Sequence, residues 1–507
     1  MEVFAEAALL CVAAVPAVRV LLKQPVRDEM RARPAFALAA LVVLVLVMSV
    51  VALAWQHSDL SRRALVASVV AVVMLAVVRA RPNYGRSRGL PPGSLGLAVS
   101  LDAITDEAFY ARSAARWGPV FKMSQFHRPV ICIADLPRGL ELLHTEREAL
   151  EQAQWGFNSL VPGGYVEFMN GELHARTRQT LGVGFHEAVL ADCRSSILDL
   201  VRQQFARMAG PGANRHIDPE RCVDRIAFAS VLRMVLGVGV AGPRLEEMER
   251  LFAPLDRQLD AVLPTPQGVH EAFRLLTGKV RWLADRANLT TDELAARSVL
   301  SEVVRADAMQ ITDPTVLGNL VILVSNGRDT LRGFLRWLMK MSADNPGWVL
   351  QLRTLADETP HDASAIDDFA THFVQETLRT HGSTYVYRVV KRTCWLGPYR
   401  LTKGWLLRLC LRESHLRPEV FPDPTNFDPG RFARRSHDQT EFCPMGHGTH
   451  ACPADPLVME VARLFVRELA LNYDVRTVAD GKAEPRNRHW QFWRPSSQFR
   501  IAVSRRG

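Results

Sequence analysis

A cysteine near the carboxyl-terminal end of the chain has neighbours that suit metal ligation. Cys452 follows Gly446 and Gly448, whose backbone freedom lets a loop lie close against a flat ligand. Pro453 comes next and is a good first helical residue, so we expect the thiol to lie at a helix N-terminus that favours the thiolate. A thiolate there can bind a soft metal centre. For this segment alone, a packed and inert cysteine is the alternative.

Two other pairs have the spacing of neighbours on one helical face. Glu376 and Arg379 are three residues apart and can form an ion pair, although an exposed pair is the default interpretation. His174 and Arg178 are four residues apart, so both could bind one anion. A solvated surface is the alternative for this basic pair.

An acid and an alcohol stand together within an apolar segment that has helical periodicity. Asp329 and Thr330 both have low helix propensity because their side chains compete for backbone hydrogen bonds. Their presence in mid-helix is unfavourable for stability, and for this segment alone chance or a solvated face explains it as well as a functional role does.

Together, these segments resemble the motifs of the cytochrome P450 family, which occur here in the family's order. Residues 445–454 resemble the haem-binding loop FxxGx(R/H)xCxG, with Gly448, His450 and Cys452 in register. Met445 replaces the usual Phe and Ala454 the usual Gly. Both changes are conservative in size or polarity, so they bear more on tuning of the iron than on haem binding.

The resemblance implies a role for each of the site residues. The cofactor would be haem b (iron protoporphyrin IX), with the metal held by Cys452. The cofactor-binding residues would be Cys452, His174, Arg178, Arg388, His450 and Gly448, four of them satisfying the propionates. Asp329 and Thr330 would be catalytic and relay protons during oxygen activation, with Leu331 in place of a second Thr. Glu376, Arg379 and Arg431 would be structural and support the haem pocket.

The resemblance therefore implies a haem-thiolate monooxygenase that inserts one oxygen atom from O2 into a lipophilic small molecule, by hydroxylation or epoxidation. In family terms the substrate pocket would draw on residues 155–168, 323–326, 383–386 and 490–493. Because no flavin or iron–sulfur module fits in the chain, electrons would come from a separate ferredoxin, flavodoxin or flavoprotein reductase.

Other functions compete with this interpretation. The same fold could catalyse peroxide-driven or rearrangement chemistry, although the intact Asp329–Thr330 pair argues against it. A haem-binding membrane protein without turnover would agree with the substitutions at Met445 and Ala454. A transporter without haem is disfavoured because the two clearest apolar segments carry no charge that would mark a pathway.

The first 82 residues form a predicted membrane module with two to three transmembrane helices. Residues 36–55 contain no charge over 20 positions, enough to cross a bilayer. Residues 64–78 form a second, shorter apolar run, and residues 3–22 a third that contains Glu6, Pro16 and Arg19. A signal peptide is the alternative for this last stretch, but it has no basic amino-terminal region.

The basic residues beside these segments predict the orientation of the chain. With three spans, the connection after the first and the segment after the third lie on one side, and they carry most of the basic residues: Lys23, Arg27, Arg31, Arg33, Arg79, Arg81, Arg86 and Arg88. Positive residues favour the cytoplasmic side, so the catalytic domain is predicted to be cytoplasmic and the protein multi-pass. A basic Pro/Gly hinge, residues 83–95, would join the module to a haem-binding domain, residues 96–507.

Composition agrees with a membrane-associated globular protein. Mean hydropathy is −0.01 and net charge is +9, a modest excess that membrane topology explains better than nucleic-acid binding. The eight cysteines form no CxxC pair, which argues against a zinc ribbon or redox dithiol. Abundant Arg, Ala and Val favour a GC-rich bacterial genome.

The predicted fold class is mainly α with a minor β portion, including a hairpin at 120–133 and helices near 188–208, 224–236, 318–341 and 456–470.

Overall fold

A computed structural model describes residues 89–125, 128–153, 160–210, 216–260, 266–285, 295–382, 386–485 and 493–506. The spans predicted at 3–22, 36–55 and 64–78 lie outside these ranges. Within them, no helix combines the length and the apolar character that a bilayer crossing requires.

Helices make up most of the described chain. They are α1 (Leu97–Thr105), α2 (Phe109–Trp117), α3 (Leu136–Thr145), α4 (Gly171–Gly182), α5 (Glu187–Met208), α6 (Glu220–Leu236), α7 (Pro243–Asp260), α8 (Pro266–Ala284), α9 (Val299–Ala306), α10 (Pro314–Asp344), α11 (Pro346–Glu358), α12 (Ala363–His381), α13 (Leu411–Ser414), α14 (Gly430–Arg434) and α15 (Asp455–Asn472). Short 3-10 turns at Val166–Phe168 and Gly448–His450 matter for the site.

The strands form one larger sheet and several two-stranded ribbons. The strands are β1 (Val120–Gln125), β2 (Arg128–Ile133), β3 (Leu150–Gln152), β4 (Val386–Val390), β5 (Cys394–Leu396), β6 (Tyr399–Leu401), β7 (Leu406–Leu409), β8 (Tyr473–Ala479), β9 (Glu484–Pro485), β10 (Trp493–Arg494) and β11 (Arg500–Arg505). The five-stranded sheet has the order β1-β2-β7-β4-β3, in which β2 and β7 are parallel and the other neighbours antiparallel. Strand β4 is therefore an interior strand of this sheet.

Helix α10 runs through the helical core and is apolar on most of its faces. It spans 31 residues and packs against α6, α8 and α15. It begins four residues before the predicted start, because Pro314 suits the first turn and Asp313 accepts a hydrogen bond from the Thr315 backbone N–H at 2.7 Å. The helix thus carries Asp329 and Thr330 through the middle of the molecule.

The described end of the predicted hinge packs against β1. The backbone N–H of Lys122 donates to the carbonyl of Pro92 at 2.7 Å, and its ammonium group donates to the carbonyl of Pro91 at 2.6 Å. Gly93 has a φ of 128°, and a Cβ there would lie 2.1 Å from the Lys122 carbonyl oxygen, so this close approach requires glycine. Residues 91–93 therefore pack directly against β1.

The predicted class is confirmed: the described chain is mainly helical with a minor sheet. The hairpin of β1 and β2 pairs Val120 with Ile133 and Gln125 with Arg128. Helices α5, α6, α10 and α15 cover the four predicted helical segments and extend beyond most of their predicted ends.

Candidate active site

The cysteine loop folds over its own backbone before helix α15 begins. Gly446 and Gly448 have φ angles of 77° and 65°, which residues with a side chain rarely adopt. The backbone N–H of Cys452 donates to the carbonyl of Met445 at 2.8 Å and closes the loop. Helix α15 begins at Asp455 rather than at Pro453, so Cys452 lies three residues before the helix.

The Cys452 thiol faces the protein interior. Burial raises its pKa to about 11, while the backbone N–H of Ala454 and the charge of Arg178 act in the opposite direction. Without a cation the thiol is therefore protonated at neutral pH. A bound metal ion would displace this proton, because a coordinated thiol ionises.

Four basic side chains from three parts of the fold meet beside this loop. His174 and Arg178 come from α4, Arg388 from β4 and His450 from the cysteine loop. The rings of His174 and His450 stack with centroids 3.9 Å apart. Burial, followed by the charges of its basic neighbours, lowers the pKa of His450 to about 3, and burial lowers that of Arg388 to about 10.

Within the part of the chain that the structure describes, this basic cluster has no acidic partner. Among the described residues, no carboxylate forms an ion pair with Arg178 or Arg388, and Arg388 donates to the carbonyl of Tyr387. His450 Nδ1 is buried without a hydrogen-bond partner in the described structure. Buried polar groups are normally hydrogen-bonded, so a ligand with two acidic groups fits this cluster. The site residues therefore fit haem, with the propionates at the basic cluster and the iron at Cys452.

Glu376, Arg379 and Arg431 form a buried ion-pair network. Arg379 donates from Nε and Nη2 to the two carboxylate oxygens of Glu376, both at 2.7 Å. Arg431 Nε lies 3.2 Å from the same carboxylate. Glu376 and Arg379 have no exposed surface, and Arg431 is 6% exposed. The arginines also donate to the carbonyls of His415, Pro422 and Asn426, so this network ties α12 to the loop that precedes the cysteine.

The structure places Asp329 and Thr330 on the central helix with different partners. Thr330 Oγ1 donates to the carbonyl of Asn326 at 2.8 Å. Asp329 is buried, and its Oδ1 accepts a hydrogen bond from Arg332 at 2.8 Å. Arg332 also lies 3.6 Å from Asp224 on α6, so Asp329 belongs to an ion-pair network between the two helices.

Sequence reasoning did not single out Tyr165 and Glu167, two polar residues that contact Asn326 of the central helix. Asn326 Nδ2 lies 3.4 Å from Glu167 Oε2 and 3.3 Å from Tyr165 Oη. Glu167 lies in a segment that the resemblance assigned to the substrate pocket, but no spacing or periodicity distinguishes it from other glutamates. Its contact with Asn326 joins positions 159 residues apart, and only the folded chain reveals it.

Two of the four segments predicted to form the substrate pocket are in contact in the structure. Residues 160–168 and 323–326 are described, and they meet where Tyr165 and Glu167 approach Asn326. Of the other two segments only Val386 and Trp493 are described, and the carbonyl of Trp493 accepts a hydrogen bond from Trp337 at 2.9 Å. Residues 154–159, 383–385 and 486–492 lie outside the described ranges.

Comparison with known proteins agrees with this site. A family model described as Cytochrome P450 matches residues 100–503. Abscisic acid 8'-hydroxylase 1 of Arabidopsis thaliana is 21% identical over 77% of this chain and 87% of its own. Ent-kaurenoic acid oxidase 1 of Hordeum vulgare is 23% identical over 81% and 91%, and putative cytochrome P450 135B1 of Mycobacterium bovis is 27% identical over 80% and 89%.

The fold is also similar to that of a solved structure. Retinoic acid bound cyanobacterial CYP120A1 superposes with a TM-score of 0.67 at 20% identity, covering 83% of this chain and all of that one. The family match extends over most of the chain and includes the cysteine loop, the basic cluster and the central helix. The expected cofactor is thereby confirmed as haem b. The chain belongs to the cytochrome P450 family and is a haem-dependent monooxygenase.

Proposed function

We propose that this protein is a membrane-anchored monooxygenase that inserts one oxygen atom from O2 into a lipophilic small molecule. The observation that carries the proposal is the cluster of His174, Arg178, Arg388 and His450, which has no acidic partner among the described residues and lies beside Cys452. Such a cluster suits a cofactor with two acidic groups and a metal that needs one thiolate.

The protein's contribution is to hold the cofactor in one orientation. Cys452 would ligate the iron as a thiolate, and the basic cluster would bind the propionates and offset their burial. Glu376, Arg379 and Arg431 would stabilise the loop that precedes the cysteine without touching the reacting atoms. The bound haem supplies the one-electron and oxygen chemistry that side chains cannot provide.

Asp329 and Thr330 would deliver protons to the cofactor site. The Thr330 hydroxyl donates to a backbone carbonyl in this structure, and rotation about χ1 would let it donate into the pocket instead. Asp329 would take up a proton from solvent on the side of Arg332, whose side chain is 25% exposed, and pass it to the Thr330 hydroxyl. Both residues would then act as positioned proton donors, the role we expect from the sequence.

The amino-terminal region would anchor the enzyme beside its substrate. We propose the organisation expected from the sequence: a membrane module at 1–82, a basic hinge at 83–95 and a haem-binding domain at 96–507 on the cytoplasmic side. A lipophilic substrate would then enter from the membrane lipid. Electrons would come from a separate ferredoxin, flavodoxin or flavoprotein reductase. Bacterial origin stays a prediction from composition.

Reconstitution of the full chain in lipid tests the activity. The purified holoprotein is combined with NADPH, a ferredoxin and its reductase, and a panel of alcohols, terpenes and fatty acids under ¹⁸O2. We expect substrate-dependent NADPH consumption and a product that contains one ¹⁸O atom. Turnover with hydrogen peroxide but not with NADPH would favour peroxide chemistry, and the absence of both would favour a haem protein without turnover.

Alkaline extraction tests the anchor independently. The full chain is expressed, and its membrane fraction is washed with carbonate at high pH, which removes peripheral proteins. We expect the protein to stay with the lipid until detergent is added. Release by carbonate would contradict the membrane module and leave the monooxygenase assignment intact.

A further inference from the structure

A short segment before α4 holds one glutamate rigidly against the central helix. The backbone N–H of Val166 donates to Asn319 Oδ1 at 2.7 Å, and Asn319 is fully buried in α10. On the other side, Gln152 Nε2 donates to the carbonyl of Glu167 at 2.6 Å. Because bonds from α10 and β3 fix its backbone, Glu167 has a defined position rather than that of a loose loop residue.

The side chain of Glu167 lies near the helical face that carries Thr330. Asn326 Nδ2 is 3.4 Å from Glu167 Oε2 and 3.3 Å from Tyr165 Oη. Asn326 and Thr330 are four residues apart, so they lie one turn apart on the same face of α10. The three polar groups of Tyr165, Glu167 and Asn326 therefore stand next to the residue that we expect to deliver protons.

The Glu167 carboxyl group is solvent-accessible although much of the protein surrounds it. Burial by this surrounding protein raises its pKa to about 7. The charge of Glu167 also raises the pKa of both Tyr165 and the Cys452 thiol. The Glu167 carboxyl group therefore contacts Asn326 of α10 and lies within electrostatic range of the cysteine loop.

We propose that Glu167, with Asn326 and Tyr165, binds a hydroxyl group of the lipophilic substrate and selects against carboxylic acids of similar size. This inference rests on the proposed function. A carboxylate oxygen of Glu167 accepts a hydrogen bond from the substrate hydroxyl, and the Asn326 amide and Tyr165 phenol orient the same hydroxyl group. A site that hydrogen-bonds a substrate hydroxyl discriminates against analogues without one, because its own polar groups are then left unpaired. A second carboxylate is repelled by the charge of Glu167.

Binding of three matched probes to the holoprotein tests the proposal. The probes are 1-dodecanol, 1-methoxydodecane and dodecanoic acid, titrated at pH 8 by calorimetry and by the change in the haem absorption band. For the wild type we expect about tenfold tighter binding of the alcohol than of the ether. In Glu167→Leu this ratio falls to about one, and in Glu167→Gln the acid binds about tenfold more tightly than it does to the wild type.

The control is Glu172→Gln, which removes an exposed carboxylate five residues further along and leaves all three affinities unchanged. Partitioning into detergent is the same for every variant, so the ratios report on the pocket. An alcohol preference that persists in Glu167→Leu overturns the proposal that Glu167 binds the substrate hydroxyl. Failure of every probe to bind a wild-type protein with normal haem content overturns this inference, and the reconstitution under ¹⁸O2 then tests the proposed function separately.

Discussion

The imidazole rings of His174 and His450 stack at 3.9 Å between centroids, with an angle of 19° between their planes. One ring belongs to helix α4 and the other to the cysteine loop, segments separated by more than half of the described chain. The stack therefore brings helix α4 and the cysteine loop into direct contact at the cofactor site. It also leaves the buried His450 Nδ1 available to an acidic ligand.

We expect His450→Ala to weaken haem binding. The substitution removes a buried donor and the stacking partner of His174, so haem should transfer to excess apomyoglobin about tenfold faster, as for loss of one hydrogen bond to a charged group. The matched control is His447→Ala in the same loop, where the ring contacts Gln439 instead of the basic cluster. Equal transfer rates for the two variants would contradict the placement of the propionates.

Removal of the buried carboxylate at Glu376 should be strongly destabilising. In Glu376→Ala the guanidinium groups of Arg379 and Arg431 lose their anionic partner inside the protein, which costs about 3–5 kcal/mol of unfolding free energy. Urea unfolding of the holoprotein measures this loss. Glu148→Ala is the control, because Glu148 and Arg147 are 78% and 76% exposed, and such a pair contributes about 0–1 kcal/mol. Similar losses in both variants would show that the network is not stabilising.

Local patterns predicted the residue types of the site, and long-range packing decided how they are used. The ExxR spacing places Glu376 and Arg379 on one face, but their complete burial depends on the loop that contains Arg431. The Asp329–Thr330 pair is visible in the sequence, whereas the bond from Asp329 to Arg332 and the link to Asp224 depend on the packing of α6 against α10. Glu167 was missed because its significance arises from Asn326, which is distant in sequence.

The Thr330 hydroxyl should govern the efficiency of oxygen use. In Thr330→Ala no hydroxyl remains to deliver a proton, so product formed per NADPH consumed should fall by about tenfold, a modest part of the usual contribution of a positioned acid. Thr330→Ser keeps the hydroxyl and should retain most of the coupling. Product and NADPH consumption are measured together. An unchanged ratio in Thr330→Ala would remove this residue from the proton pathway.

The buried His415 should make the protein less stable below neutral pH. Burial and the neighbouring Arg379 lower its pKa to about 3, and its Nε2 accepts a hydrogen bond from the Cys443 backbone N–H at 3.0 Å. Because the folded-state pKa lies below the unfolded value of about 6.5, this stabilising contribution is complete above pH 6.5 and is lost as the pH falls towards 3. Below pH 6.5, unfolding free energy should decrease by up to about 1.4 kcal/mol per pH unit from this residue.

Urea unfolding of the wild type and of His415→Gln between pH 7.5 and 5 tests this pH dependence. Gln keeps a hydrogen-bond acceptor but does not titrate, so the variant should be less stable at pH 7.5 yet show a shallower loss on acidification. Parallel curves for the two proteins would mean that another group causes the pH dependence.

The central claim is that Cys452 holds haem as a thiolate, and one spectrum tests it most directly. The full chain is purified in detergent, reduced, exposed to carbon monoxide and compared with Cys452→Ser prepared in the same way. The wild type should show the strongly red-shifted Soret band of a haem-thiolate protein, and Cys452→Ser should lose that band while keeping its fold. A wild-type band characteristic of nitrogen or neutral ligation would contradict the account.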